Sequence, residues 1–504
     1  MIRRFILATL ACSAALVAAT AAQGQTSRQT ALPVPRFEPG PCAVTMSAIP
    51  RPVQCGTLVV AETRSPQPST RAARRQQASQ RTVTIPVVIV KATAASPKPD
   101  PVIFLHGGPG GSVVASVPFL FDDSRVVRPA DAPPLPPFIT DDRDWIFFDQ
   151  RGAGLGQPRL DCGEVQLTDS GLVSDADVAL TDACHQRLAA AGIDLSQYNA
   201  QAVAADVADM RRVLGFDRFN LFGVSYGSRI AFAIQRYAPQ GLRAAIHDAP
   251  YPPEAKGTEE LPVLVAREVR EVLAKCEADA ACRARFGGLE PRLTAAAAVW
   301  AASPKVVDGK TYTVEDLASF LLDATYSWAG TRSLPATLTA ILDGDMTALD
   351  AYMADRSGYD EGQNLTHFCK EELPFESEAA MRAKAGDDPL ARAIVTTASR
   401  YFQACRAWQV GPPDPREIEP VRSDVPTLMI ASQIDAGCPV DNVNGSVRFL
   451  SRGTVIEVPN ATHGISRRSA CVRGMIHRFL AEPAAAVDTS CIATEHATLP
   501  FILD

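Results

Sequence analysis

Histidine is scarce in this chain, with seven in 504 residues, so chemistry that needs an imidazole has few places to put it. Basic runs are missing too: Lys and Arg number 49 against 56 Asp and Glu, for a formal net charge of −7. Without a basic face there is no footprint for phosphates, which excludes a nucleic-acid partner. No C-x-x-C occurs and no His/Cys cluster has zinc spacing, so no metal site is expected. The phosphate loop G-x-x-x-x-G-K-[ST] is absent, and Gly152-Ala153-Gly154-Leu155-Gly156 lacks the G-x-G-x-x-G spacing, so no cofactor is expected. What is left, 46% hydrophobic and 21% charged residues without an internal repeat, is the composition of a soluble globular enzyme.

The N-terminus carries an address. Arg3 and Arg4 precede the apolar stretch 5–19, which Thr20-Ala21-Ala22-Gln23 closes. This is the pattern of a secretory signal peptide spanning 1–22, and the stretch is short of the ~20 apolar residues a membrane span needs. The expected product is exported, periplasmic or extracellular, with no stable membrane span after signal removal. Such a compartment permits disulfides. Loss of Cys12 with the signal leaves eleven of the twelve cysteines. Closeness along the chain suggests pairing Cys42 with Cys55, Cys162 with Cys184, Cys276 with Cys282, Cys369 with Cys405 and Cys471 with Cys491, leaving Cys438 odd.

Residues 23–41 are polar and Pro-rich and read as a mobile leader. Strand-like runs follow at 56–61, 82–90, 102–105, 145–148, 219–222, 243–247, 426–430 and 453–458, with helical patterns at 202–214, 228–234 and 471–480. Strands alternating with helices imply an α/β fold with a mostly parallel sheet covered on both faces. Between 251 and 416 the pattern turns to Ala-rich helices. The reading is a core in two parts, 23–250 and 417–504, interrupted by a helical cap at 251–416.

Ser225 lies in Gly223-Val224-Ser225-Tyr226-Gly227, between a strand and a helix, which is where G-x-S-x-G presents a nucleophile on a sharp turn. A serine needs a base and an orienting acid, which in this fold follow it as acid and then histidine. Of the five histidines after Ser225, His247 sits too close to the elbow, His367 falls in the helical insertion, His477 is on a terminal helix and His496 lies near the tail. His463, in the loop after the last strand, is the candidate base. Asp435, in the loop after 426–430, is the candidate acid, with Asp248 its rival. For the oxyanion, the backbone N–H of Tyr226 and that of Gly108 in His106-Gly107-Gly108-Pro109-Gly110-Gly111-Ser112 are the candidate donors, since Pro109 has none to give. Arg151 reads as half of a structural ion pair rather than a cation in the site.

Together His106 to Ser112, Asp149-Gln150-Arg151-Gly152-Ala153-Gly154 and the serine pentapeptide resemble the secreted α/β-hydrolase serine peptidases that include prolyl aminopeptidase and the tripeptidyl aminopeptidases. The resemblance implies an α/β-hydrolase core with a helical cap, and release of residues from free peptide N-termini. Two positions depart from the family's pattern: Asp435-Ala436-Gly437-Cys438-Pro439 stands where Asp-Pro-x-Thr-Pro is usual, and Cys369-Lys370-Glu371 where Cys-x-Asp is. An exopeptidase must compensate its substrate's ammonium with carboxylates, a task Glu371 or Glu372 can serve from the cap. A carboxylesterase or lipase using the same triad on small acyl substrates is the alternative, and a non-catalytic binding protein on a hydrolase scaffold is a third reading.

Overall fold

Short runs of branched and aromatic residues build a nine-stranded sheet. Its strands are β1 (Arg36–Pro39), β2 (Val53–Ala61), β3 (Thr82–Val90), β4 (Val102–Leu105), β5 (Trp145–Phe148), β6 (Phe219–Val224), β7 (Leu242–Asp248), β8 (Thr427–Ile434) and β9 (Gly453–Thr462). They lie in the order β1-β2-β3-β5-β4-β6-β7-β8-β9. The pairs β1/β2, β2/β3 and β3/β5 are antiparallel, and every later neighbour is parallel. The computed structural model describes residues 33–64, 81–126, 132–168, 171–354 and 359–503, so the signal peptide expected at 1–22 lies outside the described residues.

Parallel strands are covered on both faces, which is why β4 and β5 read as unbroken apolar runs, all of them buried. Alternate residues of β4 divide between two cores. Ile103 and Leu105 join Val203, Val207 and Ile230, whereas Val102 and Phe104 join Val114, Val472 and Ile476 on the opposite face. The first face is covered by α3 (Ala200–Leu214) and α4 (Tyr226–Tyr237), the second by α1 (Val113–Leu120) and α15 (Ala470–Ala481), with α2 (Asp175–Ala190) packed beside the first core.

Between β7 and β8 the chain runs through α5 (Gly257–Ala278), α6 (Ala280–Phe286), α7 (Leu289–Ala302), α8 (Val314–Tyr326), α9 (Trp328–Asp343), α10 (Thr347–Ala354), α11 (Glu361–His367), α12 (Glu378–Ala385) and α13 (Pro389–Ala407); α14 (Val440–Ser446) follows β8. Val265, Val269, Leu317, Leu321 and Ile394 form a core of their own there. Among the described residues no helix is long and apolar enough to cross a membrane.

The structure corrects the reading of 23–41 as a mobile leader, because Arg36–Pro39 is an edge strand on β2. The Phe37 ring covers Gly56, where a Cβ would meet it at 2.4 Å, and Pro39 is tolerated on an edge. The insertion also holds a hairpin, Lys305–Val307 with Lys310–Tyr312, turned by Asp308 and Gly309 at φ 49° and 80°. That Asp-Gly pair is a strong short-range hairpin signal that the helical pattern around it obscures.

Five disulfides join the pairs expected from adjacency, and Cys438 is free and buried. Cys369–Cys405 spans the longest stretch of chain, 36 residues, and ties the segment after α11 to α13. Closing a loop of that size restricts the unfolded chain by about 4 kcal/mol. The paired substitution Cys369→Ala/Cys405→Ala should therefore lower the unfolding free energy in urea by roughly 2–4 kcal/mol; an unchanged midpoint would contradict this.

Candidate active site

The turn from β6 into α4 pivots on Ser225, whose backbone sits at φ 57°, ψ −128°. A side-chain-bearing residue holds that conformation only when its surroundings impose it. Here the Ser225 N–H donates to the Asp248 carbonyl at 3.0 Å, and the Ser225 carbonyl accepts from the Ser228 N–H at 2.8 Å and the Ser228 hydroxyl at 2.6 Å. Both pentapeptide glycines are required by contact: a Cβ on Gly223 would lie 2.5 Å from the Gly227 oxygen, and one on Gly227 would lie 2.0 Å from the Leu105 oxygen. A Cβ on Gly107 would fall 2.8 Å from that of Ser225, so the glycine loop after β4 lies directly against the serine.

The candidate base and acid arrive on adjacent strands. Ile434, at the end of β8, pairs with Thr462, at the end of β9, so the next residues, Asp435 and His463, leave the sheet side by side. The His463 Nδ1–H donates to Asp435 at 2.8 Å (Oδ2) and 3.0 Å (Oδ1), and Asp435 also accepts the Cys438 N–H at 3.0 Å. The rival Asp248 is occupied differently, accepting the Ser466 N–H at 2.9 Å. Burial pushes its carboxyl up, with the Ser466 hydrogen bonds offsetting part of the effect. His247 is sealed against Phe232, and burial lowers it to about 3. Cys438 lies close enough to interact with Ser225, but burial and then Asp435 push its thiol well up, so it is protonated and no rival nucleophile at neutral pH.

Gly108, at φ 118°, lines the same cavity as Ser225 and Tyr226. Tyr226 is the first residue of α4, so its N–H is among the donors a helix N-terminus leaves unpaired. The glycine loop is fixed from below by buried Asp149, which accepts the Val114 N–H at 2.9 Å, the Leu155 N–H at 2.8 Å and the Ser112 hydroxyl at 3.0 Å. Arg151 is fully buried and grips Asp206 through two contacts of 2.7 Å. It is a structural ion pair holding the loop after β5.

The cavity, of about 790 Å³ with its open mouth included, is walled by Tyr251, Tyr326, His367, Phe368 and Tyr401 besides the residues around Ser225. The two cap glutamates part company here. Both lie in a π-helical turn, Phe368–Glu372, that extends α11. Glu372 is on the cavity wall, where it accepts the Thr258 N–H at 2.9 Å, the Thr258 hydroxyl at 2.5 Å and the Tyr251 hydroxyl. Glu371 turns away from it, accepting the Ala200 N–H at the start of α3 at 2.7 Å and facing Arg229 Nε at 3.3 Å. His367 bridges them, Nδ1 at 3.2 Å from Glu371 and Nε2 at 3.5 Å from Glu372. His367, Arg229 and Tyr251 were not singled out from the sequence as site residues. The one available signal is His367 four residues before Glu371, a helical spacing that places the two side chains together.

These charges hold one another ionised. Burial would raise the Glu372 carboxyl, but His367, Arg229 and Thr258 outweigh it and bring it down to about 2. Burial works against the His367 imidazolium, yet Glu371 and Glu372 raise it above its ordinary 6.5. A raised imidazole contributes stability fully below 6.5 and loses it as pH climbs through the folded value. A lowered carboxyl contributes above 4.5 and loses it as pH falls toward about 2. The cluster therefore stabilises most between pH 4.5 and 6.5. His367→Gln should lower the melting temperature most in that window and flatten the decline above it; a profile parallel to wild type would contradict this.

The chain is similar to several known proteins. A model described as alpha/beta hydrolase fold matches residues 100–271, and one described as TAP-like protein matches residues 391–491. Over 148 residues the chain is 26% identical to a protein named "Probable proline iminopeptidase" from Leptolyngbya boryana, a match covering 29% of this chain and 30% of that one. The chain thus spans under a third of that relative's length. Among solved structures it is similar to a proline iminopeptidase of Mycobacterium smegmatis, with 16% identity, 80% and 95% of the two chains covered and a TM-score of 0.36. It is also similar to a thermophilic esterase from Thermogutta terrifontis, with 14% identity, 80% and 95% covered and a TM-score of 0.33. The chain has the α/β-hydrolase fold and resembles the α/β-hydrolase aminopeptidases.

Proposed function

We propose that this protein is an exported serine hydrolase that releases residues from the free N-termini of peptides through an acyl-enzyme. The observation that carries the reading is Glu372, a buried ionised carboxylate on the wall of the cavity into which Ser225 opens. His463 takes the Ser225 proton as the hydroxyl oxygen attacks the scissile carbonyl, and Asp435 holds the ring and offsets the imidazolium charge. The N–H groups of Tyr226 and Gly108 receive the oxyanion. His463 then protonates the departing amine, leaving residues esterified to Ser225. Water repeats the cycle in reverse, giving its proton to His463 and its oxygen to the acyl carbon, and Ser225 is restored.

Glu372 supplies the selection for a free amino terminus. With Glu371 it carries two negative charges, and Arg229 and protonated His367 balance them. An incoming ammonium is accommodated when His367 gives up its proton, so the substrate's charge replaces the imidazolium's beside Glu372. The aromatic wall accommodates an apolar residue next to the scissile bond. Export is supported by five disulfides in one chain, a number rare in a reducing compartment.

Chromogenic amides of single amino acids and short peptides, compared with matched N-acetylated amides and simple acyl esters, test the reading. Free-amine amides should be preferred. Glu372→Gln should raise their KM roughly 10- to 100-fold, the worth of one charge-assisted hydrogen bond, and leave ester turnover near wild type. Efficient turnover of blocked amides or esters with none of free-amine amides would replace the aminopeptidase reading by a carboxylesterase.

A further inference from the structure

Cys438 is the described cysteine that neither a disulfide nor the hydrolytic chemistry explains. It is 3% exposed and lies on the wall of the cavity that holds Ser225. Its sulfur, an imidazole nitrogen of His463 and a carboxylate oxygen of Asp435 all lie within 4.8 Å of one another. The sequence gives no hint of this set. Asp435 and Cys438 share one loop, and His463 joins them only because β8 and β9 run parallel and end in register at Ile434 and Thr462.

A thiol, an imidazole and a carboxylate are the mixed soft and borderline donors that zinc-class ions take in tetrahedral sites, at bond lengths of about 2.0–2.3 Å. The donor atoms already lie close together, and Cys438 is on the wall of the cavity that also holds Ser225.

We propose that Asp435, Cys438 and His463 form an inhibitory site for a divalent cation of the zinc class, which switches the enzyme off by occupying its base and acid. As the metal–sulfur bond forms, the thiol proton leaves to solvent. The neutral His463 imidazole donates the lone pair of its unprotonated nitrogen, its one ring proton residing on the nitrogen that does not bind, Asp435 donates from its carboxylate, and Ser225 loses the group that takes its proton. Binding stands on the donor set alone; the loss of turnover rests on the serine-hydrolase reading above.

The two claims are separable by experiment. Co2+ titrated into Ser225→Ala protein should give one equivalent of a thiolate-to-cobalt charge-transfer band, displaced by Zn2+ and absent from Ser225→Ala/Cys438→Ser. In parallel, Zn2+ should inhibit the wild type reversibly, with chelator restoring the rate. In Cys438→Ser the inhibition constant, read against that variant's own uninhibited rate, should rise at least ten-fold. Should Cys438→Ser not fold, His463→Gln in the Ser225→Ala background should weaken Co2+ binding by the same factor. No thiolate band, or one that survives Cys438→Ser, overturns the site. A band without inhibition leaves the metal site standing and overturns its role as an off-switch, and with it the assignment of His463 as base.

Discussion

Arg229 is the contact on which the proposed substrate side of this molecule depends. It lies on α4, one helical turn or about 6 Å beyond Ser225, which precedes the first residue of that helix. Its guanidinium is 2% exposed, donates to the Glu371 carbonyl at 2.8 Å and sits 3.3 Å from the Glu371 carboxylate. The helix that presents Ser225 therefore also grips the turn that presents Glu372. The proposed nucleophile and the carboxylate proposed to bind the amine are registered through one rigid element rather than across a sliding interface. Breaking such a buried pair from one side costs about 3–5 kcal/mol, because the surviving charge is stranded.

The catalytic side is held by backbone contact. Gly227 and Gly223 let α4 pack onto the ends of β4 and β6 more closely than any side chain would permit, and that approach forces Ser225 into its strained conformation. The glycine loop lies against the serine for the same reason, and Asp149 pins it through three donors. Strain and preorganisation are one feature here: the same hydrogen bonds that hold Ser225 at positive φ aim its hydroxyl at the cavity.

Legibility in the sequence follows the range of the interaction. The elbow, the glycine loop and the strands are local patterns, each carried by a few consecutive residues, and the elements around them lie where those patterns put them. Cysteine pairing was legible because each partner is near in sequence. The network of Arg229, His367, Glu371 and Glu372 was not, since it joins a core helix to a segment more than 130 residues later, and adjacent Glu371 and Glu372 look alike until the π turn sends one to α3 and the other to the cavity. Cys438 looked like a leftover thiol, and only strand register shows it beside His463. The strand at Arg36–Pro39 was hidden by Pro39 and by the prolines just before it.

The most direct test of coupling between a free amino terminus and Ser225 is covalent labelling. An α-aminoalkyl phosphonate diphenyl ester with a free amine and its N-acetyl counterpart differ only in the charge Glu372 would meet. The expected result is stoichiometric phosphonylation mapped by peptide mass to Ser225, with the free-amine reagent reacting much the faster and losing that advantage in Glu372→Gln. Equal rates for the two reagents, or a label on any residue other than Ser225, would contradict it.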